Sequence, residues 1–135
     1  ASRHCDRIVN FVFDPWRGLI VVRAELWGPS GSAVLQLALD TGATSTLVNV
    51  GMLVAIGYDP ALNAERVQVT TGSGVEFAPR VVLQRINAVG QERLGFPVLG
   101  HTLPPSASVD GLLGLDFFRG LNLAIDFRTG RLRLS

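Results

Sequence analysis

Leu37-Ala38-Leu39-Asp40-Thr41-Gly42-Ala43-Thr44-Ser45-Thr46-Leu47-Val48 reads as an apolar strand that runs into an Asp-Thr-Gly turn and resumes as an apolar pair. Far downstream lies a second apolar element, Leu112-Leu113-Gly114, followed at once by Leu115-Asp116-Phe117-Phe118. The Asp-Thr-Gly triplet occurs only once in the chain.

Outward from these two stretches the periodicity is that of β-structure almost throughout. Residues 8–13 form a first strand, closed by the turn-like Asp14-Pro15. Residues 19–27 form a longer one, in which Val22, Ala24 and Leu26 alternate with Arg23 and Glu25. Gly28-Pro29-Ser30-Gly31 has the composition of a hairpin turn, and residues 33–39 make the strand that delivers Asp40. Residues 49–56 read as a short helix capped by Asn49 and stopped by Gly57. Strands over 66–71 and 75–83 flank Thr71-Gly72-Ser73-Gly74, a strong hairpin pattern. Residues 85–99 hold two further strands broken near Gly90, and 101–108, with two prolines and two serines, form a loop. A short helix over 115–119 precedes a last hairpin of 122–127 and 132–134 around Thr129-Gly130. Many short strands joined by glycine-rich turns predict an all-β, closed barrel with one or two short helices.

Composition narrows the function classes. At 135 residues, the chain reads as a single domain, 1–135, with 1–15 as a peripheral N-terminal strand. A chain of this size buries about 65–70% of its unfolded surface. With 47% hydrophobic and 17% charged residues, it is a compact body and not a disordered tail. The formal net charge is +1 and the arginines are scattered, so no basic patch of a nucleic-acid binder forms. All 12 basic residues are Arg, which we read as codon bias of a GC-rich, bacterial genome. Cys5 is the only cysteine, which rules out an intrachain disulfide. With His4 alone beside it, Cys5 supplies too few ligands for zinc. No run approaches the ~20 apolar residues of a membrane-spanning helix. The first residue is Ala and not Met. We therefore expect a processed or trimmed fragment of a longer protein, secreted or membrane-anchored, and leave localisation open.

The Asp-Thr-Gly stretch carries the chemistry. A lone surface carboxylate titrates near ~3.9 and is an indifferent base at neutral pH. Two carboxylates pressed together cannot both ionise, so they share one proton; one activates water while the other donates to a carbonyl. Gly42 allows close approach of backbone to the aspartate and offers it an amide donor, and the small Ala43 leaves room for a substrate. The triplet by itself is an ordinary turn composition. Three additions raise it above that: the apolar strand before it with Leu47-Val48 after it, a glycine hairpin about thirty residues on, and the Leu112-Leu113-Gly114 element opening a short helix. Asp116 at a helix start and Asp126 before a turn lack a following Thr-Gly, and we give both structural roles. His101, in the Pro-rich loop, reads as incidental.

Together these motifs resemble the retroviral-type, single-domain aspartic proteases over most of the chain. The segments 111–118 and 122–127 are similar to cellular and bacterial members. The resemblance implies a retropepsin-like barrel in which Asp40 is the catalytic carboxylate, with no cofactor and no metal. It assigns Thr41, Gly42, Ala43, Leu113 and Gly114 to support of the active-site loop, Thr41 bonding across a twofold axis to a partner's loop. It assigns Thr71, Gly72, Ser73 and Gly74 to a flap over the substrate. One departure stands out. Viral enzymes place Asp two residues after the catalytic glycine and Arg directly after the downstream glycine, as a pair; here those positions are Thr44 and Leu115.

With one triplet per chain, the resemblance implies a homodimeric aspartic endopeptidase acting on a polypeptide substrate. The alternative is a non-catalytic, dimeric peptide-binding or assembly module of the same fold.

Overall fold

The structure, a computed structural model, describes residues 9–62, 65–71, 74–104 and 106–135; His4 and Cys5 lie outside the described residues. In chain order the elements are β1 (Val9–Val12), β2 (Val21–Gly28), β3 (Gly31–Leu39), β4 (Leu47–Asn49), α1 (Val50–Ala55) and β5 (Arg66–Thr71). There follow β6 (Gly74–Ala88), β7 (Gln91–His101), β8 (Gly111–Leu113), α2 (Leu115–Phe118), β9 (Leu123–Asp126) and β10 (Arg131–Leu134).

Strands β2, β3, β8, β4, β7 and β6 pair in that order, and β6 returns to β2 to close a 6-strand barrel. The expected all-β, closed barrel with two short helices is therefore what forms. Alternation explains the closure. On β2, Val22, Ala24 and Leu26 are buried while Arg23 points outward. Leu35 and Leu37 of β3, Leu83 and Ile86 of β6, Val98 of β7 and Leu113 of β8 fill the same interior, joined by Phe117 of α2. Phe117 meets Phe96 and Phe118 edge-on, at ring-centroid distances of 5.8 and 5.4 Å. A second sheet, β1-β10-β9, brings the two ends of the described chain together. Among the described residues no helix is long and apolar enough to cross a membrane.

Two expectations are corrected. No break separates a strand ending at Leu83 from one starting at Arg85, because β6 is a single 15-residue strand. Its first half pairs with β5 in a projecting hairpin and its second half with β7 and β2 in the barrel. At Gln84 the ladder is only interrupted. Its amide donates to the Tyr58 hydroxyl (2.7 Å), and Gly95 of β7 takes a φ of 59° at this point of the ladder. The turn near Gly90 is where the sequence puts it. The loop expected from residue 101 starts one residue later, since His101 still pairs with Asn49 of β4.

Candidate active site

Strand β3 ends at Leu39, and Asp40 opens the loop of residues 40–46 that leads to β4. β8 lies between the two arms of this loop. It runs parallel to β3, with Leu39 opposite Leu113, and antiparallel to β4, with Val48 opposite Gly111. Such threading demands glycine. A Cβ on Gly111 would run into the Leu47 carbonyl oxygen, and one on Gly114 would lie 2.8 Å from the carbonyl oxygens of Ala43 and Ser45. The Leu-Leu-Gly element is thus the peg on which the Asp40 loop hangs.

Hydrogen bonds fix the loop at each end. The Asp40 amide donates to the Leu113 carbonyl (2.9 Å), and the Leu115 amide donates to the Ala43 carbonyl (2.8 Å). Within the turn, the Ala43 amide donates to the Asp40 carbonyl (3.1 Å). The Gly42 amide donates to Asp40 Oδ1 (2.9 Å), the contact its residue type was expected to supply. A donor aimed at one carboxylate oxygen holds the side chain in a single orientation.

The far side of the loop is held by a network the sequence reading did not find. Thr46, polar and fully buried, donates its hydroxyl to Asp116 Oδ1 (2.7 Å) and its amide to Asp116 Oδ2 (3.0 Å). Its hydroxyl oxygen in turn accepts from the Gly114 amide (3.1 Å). Asp116 is therefore structural, as expected, but through a contact 70 residues back along the chain as well as through its helix. This link from loop to α2 stands where Thr44 and Leu115 lack the viral ion pair.

A cleft of about 1020 Å³ opens over the loop. Asp40, Gly42 and Ala43 line one side and the β5–β6 hairpin faces them from the other through Val67, Val69 and Glu76. Asp40 is partly exposed here, in reach of a bound molecule. Thr41 is exposed and does not line the cleft. Thr71 pairs with Gly74 at the end of the hairpin, while Gly72 and Ser73 of the expected flap tip lie outside the described residues. His101 and Glu76, not among the expected site residues, both line the cleft. Strand alternation alone offers no way to see this, because the cleft forms only where the β5–β6 hairpin and the Asp40 loop come to line one space.

The family model of gag-polyprotein putative aspartyl proteases matches residues 31–120, more than half of the chain. Among solved structures, the fold is similar to the crystal structure of a retropepsin-like aspartic protease from Rickettsia conorii. The TM-score is 0.69 over 95% of this chain and 89% of that one, at 18% sequence identity, a likeness of fold. No curated protein matches the sequence significantly.

Proposed function

We propose, from the premise that the chain belongs to the family of gag-polyprotein putative aspartyl proteases, that it is a homodimeric aspartic endopeptidase in which each subunit contributes Asp40. The observation that carries this reading is the setting of Asp40. It sits on a loop pinned by Gly42, Leu113, Thr46 and Asp116, on one side of a cleft roofed by a hairpin.

One chain provides one such loop, so a second Asp40 has to come from a second copy. Both open edges of the terminal sheet, β1 and β9, are free to extend it within the described residues, which supports assembly. Two Asp40 carboxylates facing each other across the twofold axis share one proton. The ionised one takes a proton from water as that water attacks the scissile carbonyl. The protonated one donates to the carbonyl oxygen, giving a tetrahedral diol, and collapse with proton transfer to the nitrogen breaks the C–N bond. The β5–β6 hairpin binds the peptide in extended form by strand-like hydrogen bonds and keeps bulk water out. Thr41 steadies the partner's loop, and Ala43 leaves space beside the carboxylate.

Peptide-library cleavage read by mass spectrometry, from acidic to neutral pH, tests the reading. Wild type is expected to cut and Asp40→Asn to lose cutting while keeping fold and dimer. Persistent turnover by Asp40→Asn sinks the assignment of Asp40. Absence of cuts from protein shown to be dimeric turns the reading to a peptide-binding module.

A further inference from the structure

In the β5–β6 hairpin, cross-strand register puts Val67 opposite Ala78 and Val69 opposite Glu76. Opposed residues share a face of the ladder; on this face Ala78 is buried, Val67 and Val69 are half-buried and Glu76 is exposed. Gln68, Thr70, Val75 and Phe77 on the other face are exposed as well, and Gln68, Thr70 and Phe77 also border the cleft. Glu76 stands opposite Val69, and both line the cleft. It has no hydrogen-bond or salt-bridge partner among the described residues.

The rest of the lining adds no positive charge apart from what His101 can carry. In a chain with 12 arginines, none of the described cleft residues is one; the ionisable groups there are Asp40, Glu76 and His101. The cleft is thus acidic and apolar together. That combination suits the long side chain of lysine or arginine, whose methylenes lie on Val67 and Val69 while the cation meets the carboxylate. The geometry points to Glu76 as a specificity-determining residue that selects substrates with a basic side chain near the scissile bond, under the hairpin. This assignment rests on the protease reading for its meaning, but its test does not depend on turnover.

The probe is a pool of decapeptides with an apolar central pair, in which each other position carries lysine or norleucine in turn. Retention on immobilised Asp40→Asn protein reads binding, and wild-type cleavage of the same pool reads turnover. At one position lysine is expected to be favoured over norleucine by about tenfold or more, the scale of one charge-assisted contact. The ratio is expected to fall towards one in Glu76→Gln and at high salt, and to favour glutamate in Glu76→Lys. A wild-type ratio near one at every position, a ratio unchanged by Glu76→Gln, or no retention of any peptide overturns the assignment. Selective retention without cleavage leaves Glu76 as the determinant and removes the protease reading instead.

Discussion

Asp40 and Thr46 divide the work at the scale of single residues. Asp40 is partly exposed and positioned by one amide, so replacing it with Asn removes a charge and little packing. Thr46 is the opposite case, since nothing about it is accessible and its hydroxyl joins two other groups. Thr46→Val keeps the shape but leaves the buried Gly114 amide without its acceptor and a half-buried Asp116 oxygen without its donor. A cost of about 2 kcal/mol is expected, the usual penalty for buried polar groups left unpaired. Urea denaturation will measure it, and Thr46→Ser, which keeps the hydroxyl, should recover most of the loss. Turnover should fall further than the loss of folded protein explains, because the network bears on the Asp40 loop.

Among the elements, β8 matters most for its size. Three residues separate the arms of the Asp40 loop, and the close contacts at Gly111 and Gly114 leave no room for a methyl group. Gly114→Ala is expected to destabilise by about 2–3 kcal/mol through overpacking against backbone that has nowhere to move. It should also shift the loop, so that activity drops even under conditions where the variant is folded; thermal melts beside peptide turnover separate the two effects. The β9–β10 turn shows a milder form of local fixing. Asp126 accepts from the Thr129 and Arg128 amides (3.2 and 2.9 Å), and these bonds, Thr129 foremost, hold its carboxyl below the usual carboxylate range. It is a turn residue, in keeping with its sequence context, and lies on the terminal sheet away from the cleft.

For the whole molecule, the number of Asp-Thr-Gly loops per chain sets the expected assembly. If each subunit supplies one Asp40, then a mixed dimer of wild type and Asp40→Asn is inactive. Equal amounts, allowed to exchange, should retain about a quarter of the activity of the same total of wild type, because about a quarter of random pairs are fully wild type. Chains acting singly would retain about half. Sedimentation over a range of concentrations, run alongside, fixes the fraction paired at which the comparison is made.

The sequence by itself determined the class of fold, the delivery of Asp40 at the end of an apolar strand, and the place of the short helices. Each of these is local: alternation sets strands, Asn49 caps a helix by accepting from Gly51, and glycines punctuate turns. The boundaries of β6 were less legible, since Gln84 breaks the pattern only by giving its amide to a tyrosine from another element. Strand β4 was too short for alternation to reveal and exists because β7 and β8 flank it. Tertiary structure alone decided the Thr46–Asp116–Gly114 network and the choice of cleft residues. Those depend on contacts between segments far apart in the chain, and a buried threonine or a glutamate bordering a cleft carries no local mark until the folded chain sets what surrounds it.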